Sequence, residues 1–179
     1  MAGIGSFSSG YPFTVVEGFN RSQNLAADTI ALADRPDVLP GVRYADITRG
    51  VSRGCGSIPE GTPVRTPDLW FDPCAFTLQP AGFFGNAARN ALTGPRFTTL
   101  DVSIGRRFPV WEAHELEFRG DLFNLFNHAN LATPSSPTGA QVTGGVIVFP
   151  TAASAPTGGQ IFRTVTDSRQ VQLSLRYRF

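Results

Sequence analysis

Charge is scarce in this chain. Charged residues make up 16% of its 179 residues and nearly cancel, to a formal net charge of +1, where soluble domains carry roughly 25%. With no basic surplus it lacks the mark of a nucleic-acid binder, and with no acidic run that of a cation-seeking tail. Histidine and cysteine occur twice each and methionine once. No apolar run approaches the roughly 20 residues with which a helix crosses a bilayer, which excludes a helical membrane protein and leaves membrane strands open. The opening Met1-Ala2-Gly3-Ile4-Gly5-Ser6-Phe7-Ser8-Ser9-Gly10 has no cationic start, apolar centre or cleavage site, so no signal peptide is expected in the chain as written.

What is present favours strand and loop. The chain has 19 Gly and 14 Pro, which disfavour helix, and 15 Phe, so long helices are not expected. Its length suits one domain. The last ten residues alternate strictly: Val171, Leu173, Leu175, Tyr177 and Phe179 are apolar, while Gln170, Gln172, Ser174, Arg176 and Arg178 are polar. A strand over 170–179 therefore has one apolar and one polar face. A soluble sheet edge can show the same pattern, but the aromatic last residue resembles the closing strand of bacterial outer-membrane β-barrels. In those proteins it forms part of the signal read by the barrel-assembly machinery, which the resemblance assigns here to Tyr177 and Phe179.

Two further alternating runs share the property. In 97–108, Leu100, Val102, Ile104 and Phe108 hold one parity against Thr99, Asp101, Ser103 and Gly105; Arg106 falls on the apolar side near the strand end, where its stem can snorkel. In 115–124, Leu116, Phe118, Gly120 and Leu122 oppose Glu115, Glu117, Arg119 and Asp121. The short link Pro109 to His114 makes the pair a hairpin, with each run close to the 9 to 11 residues a tilted membrane strand needs. A fourth strand is expected at about 3–9. The candidate lipid-facing set is Leu100, Val102, Ile104, Leu116, Phe118, Leu122, Val171, Leu173 and Leu175.

Between these strands lie two irregular stretches, about 17–96 and 125–169, dense in turn punctuation such as Asp34-Arg35-Pro36-Asp37 and Ile58-Pro59-Glu60-Gly61-Thr62-Pro63. If the C-terminus is periplasmic, both are external loops and the Pro109 to His114 link is a periplasmic turn. Long, short, long is the loop order of an outer-membrane barrel. Cys55 and Cys74 lie in the first stretch. In an oxidising compartment they could close a loop of about 20 residues, worth roughly 3 kcal/mol on the chain-entropy estimate; the alternative is two unrelated thiols.

The run from Gly85-Asn86-Ala87-Ala88-Arg89-Asn90-Ala91-Leu92-Thr93-Gly94-Pro95-Arg96, through Leu100-Asp101-Val102-Ser103, to Phe118-Arg119-Gly120-Asp121-Leu122-Phe123-Asn124-Leu125-Phe126-Asn127-His128 resembles the C-terminal end of TonB-dependent receptors. It is most similar to the Oar-like group with a carboxypeptidase-regulatory-like domain. Gly159-Gln160-Ile161 and Ser9-Gly10-Tyr11-Pro12-Phe13-Thr14 resemble that group too. The resemblance implies an all-β fold: antiparallel strands forming part of a transmembrane β-barrel over 1–179, with two long external loops, in the bacterial outer membrane. It implies a transporter of an unidentified solute. Its partners would be outer-membrane lipid, the assembly machinery, the remaining barrel and plug, and TonB through N-terminal parts not in this chain. Four strands cannot close a barrel, so the chain reads as a C-terminal fragment.

Other motifs carry no chemistry. Arg119-Gly120-Asp121 spells an adhesion tripeptide but sits mid-strand. Gly144-Gly145 and Gly158-Gly159 lack a phosphate-loop context. His114 and His128 fall at opposite strand ends, and Glu115, Glu117 and Asp121 adjoin no nucleophile. Asn124, Asn127, His128 and Asn130 are candidates to cap a strand end. No catalytic, metal-binding or cofactor-binding residue is assigned, no cofactor is expected and the protein is read as not an enzyme. The alternative reading is a self-contained extracellular β-rich module for adhesion or carbohydrate binding.

Overall fold

The computed structural model describes residues 1–24, 34–111, 114–135 and 145–179. The protein is all-β, and among the described residues its one α-helix is a single turn. It divides into two compact units: a strand unit of Met1–Ser9, Arg96–Leu131 and Thr164–Phe179, and a loop unit of Gly10–Pro95 and Ala132–Arg163.

The strand unit is a four-stranded antiparallel sheet of β1 (Ala2–Ser8), β6 (Phe97–Trp111), β7 (His114–Phe123) and β9 (Gln170–Arg178), in the order β1-β6-β7-β9. Period-two alternation makes β6, β7 and β9 strands, and the pairing β6↔β7 and β7↔β9 runs their full overlap. Among the described residues the sheet does not close, because β1 and β9 each keep one unpaired edge in this order. Pro109, Val110, Trp111 and His114, expected in a link, belong to the strands. They do so through an irregularity between Pro109 and Trp111, a bulge that absorbs a residue at a proline unable to donate to the ladder. Glu112 and Ala113 lie outside the described residues, as does Gly144.

In the loop unit the first irregular stretch contains short strands of its own. Strand β2 (Pro12–Glu17) pairs antiparallel with β5 (Leu92–Thr93) and parallel with β8 (Gly145–Phe149), while β3 (Asp37–Val38) pairs with β4 (Phe76–Thr77). The β2–β8 pair is the exception to the antiparallel rule, and parallel neighbours need a long crossover. Phe13, Val15, Phe71, Phe76, Leu92, Val146 and Val148 pack into one core, with helix α1 (Tyr44–Ile47) adding buried Ile47. The sequence pattern misses this core because its members come from short runs far apart in the chain, each too brief to show a period.

Two local devices hold the unit. Cys55 and Cys74 are disulfide-bonded, with Cα atoms 5.5 Å apart. Beside them, buried Asp72 accepts from Ser52 Oγ at 2.7 Å, Arg53 N at 3.0 Å and Cys74 N at 3.2 Å, capping the 3-10 turn Pro73–Ala75. Gly10 turns the chain into β2 at φ +97°, where a Cβ would collide with the Gly94 and Pro95 carbonyls.

Candidate membrane-spanning wall

Register sorts the strand unit into two faces. Residues paired across an antiparallel ladder point the same way, so the rows Gly3–Val102–Leu122–Val171, Ile104–Gly120–Leu173, Arg106–Phe118–Leu175 and Phe108–Leu116–Tyr177 share one face, with Leu100 opposite Gly5. All nine candidate lipid-facing residues therefore stand together on this face. It is bare: Leu173 is 67% and Leu175 66% exposed, and Phe7, Ile104, Phe108, Phe118 and Val171 are exposed as well. Among the described residues no core covers it, and on a water-soluble domain a patch of this kind is an association or aggregation site.

The opposite face is polar and hollow. A cleft of about 750 Å³ is lined largely by its residues, among them Asp101, Ser103, Glu117, Arg119, Asp121, Gln172, Ser174 and Arg176. Charges alternate across the ladder. One Glu117 carboxylate oxygen meets Arg178 at 3.2 Å and Arg107 at 3.7 Å, and Arg119 meets Asp121 at 2.9 Å. Half-exposed pairs like these stabilise by at most about 1 kcal/mol each in water, so what they contribute is a wettable surface of mixed charge. The adhesion tripeptide is accounted for here, since Arg119 and Asp121 bond one another in mid-strand.

The hairpin end carries aromatic rings on the apolar side. Strict alternation from Phe97 would send Trp111 to the polar face with Pro109. The bulge instead sets Trp111 opposite His114, which shares parity with Leu116. There His114 stacks on Tyr177 with ring centroids 5.6 Å apart and its Nδ1 2.8 Å from Tyr177 Oη, and Phe179 tilts against Tyr177 at 6.1 Å. Arg106 lies over the Phe108 ring at 5.2 Å. Sequence reasoning missed the turn of Trp111; the proline two positions earlier was the available signal.

The other end is a rim built by asparagines. Asn130 accepts from Thr98 N at 2.8 Å and donates to Thr98 O at 2.9 Å and Thr166 Oγ1 at 3.1 Å. Asn124 receives His128 N at 3.0 Å and donates to the carbonyls of His128 and Asp167, while Asn127 receives Arg169 N at 2.9 Å. Asn124 and Asn127 take positive φ, 50° and 51°, which asparagine tolerates better than most side chains. These carboxamides satisfy the backbone groups where β7 ends, β6 begins and the chain approaches β9. Both histidines sit at sheet ends, and among the described residues no group of three His, Cys, Asp or Glu is placed to hold a metal.

A sheet with one bare apolar face, one charged hollow face and open edges suits a wall between lipid and water. Residues 1–172 match the model of a family described as "Outer membrane beta barrel domain". The chain belongs to that family. No curated protein and no solved structure matches it. As an outer-membrane β-barrel protein it lies where only closed strands and helices satisfy every backbone group, and no described helix is long and apolar enough to cross a membrane.

Proposed function

We propose that this outer-membrane β-barrel domain is part of a TonB-dependent receptor of the Oar-like group and serves solute uptake rather than catalysis. The resemblance over 85–128 carries the receptor assignment, and the register supports the wall it needs: it puts all nine lipid-facing candidates on one face and Glu117, Arg119, Asp121, Arg107, Arg176 and Arg178 on the other. The first would meet lipid and the second the lumen, with β1 and β9 continued by further barrel strands. Both long insertions leave the end of the sheet opposite the Trp111–His114 hairpin, since Ser8 pairs with Phe97 and Phe123 with Gln170. That supports an external loop unit stiffened by its own core and disulfide, as a surface meant to present a binding site would be. Tyr177 and Phe179 would serve the assembly machinery, and a plug and TonB-engaging segment elsewhere in the receptor would move the solute.

Uptake of a panel of labelled iron chelates, corrinoids and oligosaccharides tests it, comparing host cells with and without the gene, before and after a protonophore. Loss of uptake of one solute in both arms is expected. Uptake of every solute unchanged by gene loss, or gene-dependent uptake that survives the protonophore, would overturn the energised-receptor reading.

A further inference from the structure

Glu17 ends β2 in the interior of the loop unit, and its side chain is 0% exposed. A carboxylate there should have a cation or several N–H donors around it. Among the described residues it has one weak donor, Gln79 Nε2 to Glu17 Oε2 at 3.4 Å, and no ion pair. Gln79 is 1% exposed. Glu17 Oε1 and Gln79 Oε1 are both buried without a hydrogen-bond partner. Both are acceptors if the acid is ionised, so neither can relieve the other. Turning the carboxamide over leaves its oxygen still an acceptor lacking a donor.

Among the described residues no charged neighbour bonds the Glu17 side chain, and each has a partner of its own. Arg21 spends its Nε on the Gln79 backbone carbonyl at 2.5 Å. The Asp34 carboxylate takes Ser22 N at 2.5 Å and Ser22 Oγ at 2.8 Å, and Asp37 takes Asn86 N at 2.8 Å.

We propose that Glu17 is held protonated and closes a reciprocal acid–amide clasp with Gln79, so that the loop unit is tightest in acid and loosens as Glu17 ionises. One proton turns Glu17 from acceptor to donor toward Gln79 Oε1, while Gln79 Nε2 keeps donating to Oε2. The clasp ties the end of β2 to the chain beyond β4. Burial is the main cause that pushes the Glu17 carboxyl up, to about 7, with Asp34 and Asp37 adding to the rise and the Gln79 hydrogen bond and Arg21 opposing it. The folded unit thus keeps a proton that the unfolded chain releases near the carboxyl's ordinary value of 4.5. The clasp is at full strength below that lower value and is lost as pH rises to about 7.

The 179-residue chain has 2 Trp, so Trp111→Phe in that chain, held in detergent micelles, leaves core residue Trp70 as its sole emitter. Urea titrations of that protein at successive pH values should show the unfolding constant rising by up to about tenfold per pH unit between 4.5 and about 7. The rise should then stop. Glu17→Gln, which can still donate to Gln79 Oε1, should flatten it. An infrared carbonyl band of a protonated carboxyl should be present at pH 6 and absent in Glu17→Gln. Equal pH slopes in the two proteins, or no band in the parent, would overturn the proposal. So would a parent midpoint that moves with added calcium or chelator, which would put a cation in place of the proton. Should Glu17→Gln fail to fold, the parent's band and slope alone decide.

Discussion

Leu173 offers the sharpest test of which solvent the apolar face meets. It lies in mid-strand, opposite Gly120 and in line with Ile104, and 67% of it is bare. In a water-facing sheet an arginine at so exposed a place would change stability by no more than about 0.5 kcal/mol. Facing lipid near the bilayer midplane, the same substitution should cost roughly 2–4 kcal/mol, a thirty- to thousand-fold shift in the unfolding constant at about 1.4 kcal/mol per tenfold. The matched control is Gln172→Arg. Residue 172 is next along the strand, on the polar face, and pairs with Asp121, so the new guanidinium gains a carboxylate opposite it and should be close to neutral. The assay is urea unfolding of the outer-membrane protein refolded into phospholipid vesicles, with each variant compared to the parent. Equal costs for Leu173→Arg and Gln172→Arg, or a cost for Leu173→Arg below about 0.5 kcal/mol, would remove the lipid assignment.

Other outcomes follow from the same geometry. Bromine-labelled lipid should quench Trp111 in a Trp70→Phe background and leave Trp70 unquenched in a Trp111→Phe background; an unquenched Trp111 would mean that the bulge does not turn it to lipid. Asn130→Ala removes three hydrogen bonds and strands Thr98 N and O, so it should destabilise the rim by about 1–3 kcal/mol. Asn127→Ala, which loses the bond from Arg169 N, should cost less, and equal midpoints for the two would show that the asparagines merely decorate the rim. Replacing Cys55 and Cys74 by Ser should cost the loop unit roughly 3 kcal/mol. Mass spectrometry of exported, non-reduced protein should find the two cysteines linked, and two alkylatable thiols would end that assignment. Without detergent the chain should aggregate, because its apolar rows and both outer sheet edges lack partners; a sharp thermal transition from a monomer in plain buffer would favour a self-contained module.

The strand unit was legible in the residues because three of its strands, β6, β7 and β9, are long enough to display their own period. Seven or more alternating positions in each of the runs 99–105, 115–122 and 170–179 state both the strand and its faces without reference to any neighbour. Low charge, abundant Gly and Pro and the absence of long apolar runs argued against long helices, while the all-β barrel itself rested on the family resemblance. Pairing was not so legible. That Gly120 stands between Ile104 and Leu173, and that β1 lies beside β6, depends on which strands meet. The turn of Trp111 onto the apolar side depends on a bulge that breaks the very alternation used to read the strand. The loop unit was opaque for a different reason. Its strands hold two to six residues, its core joins Phe13 and Val15 to Phe71 and Val148, and its buried Glu17 is one ordinary glutamate in the sequence. Local pattern reports only what neighbouring residues share. A packed core, a disulfide partner and a carboxyl denied water arise from contacts between distant segments, and those the tertiary fold alone decides.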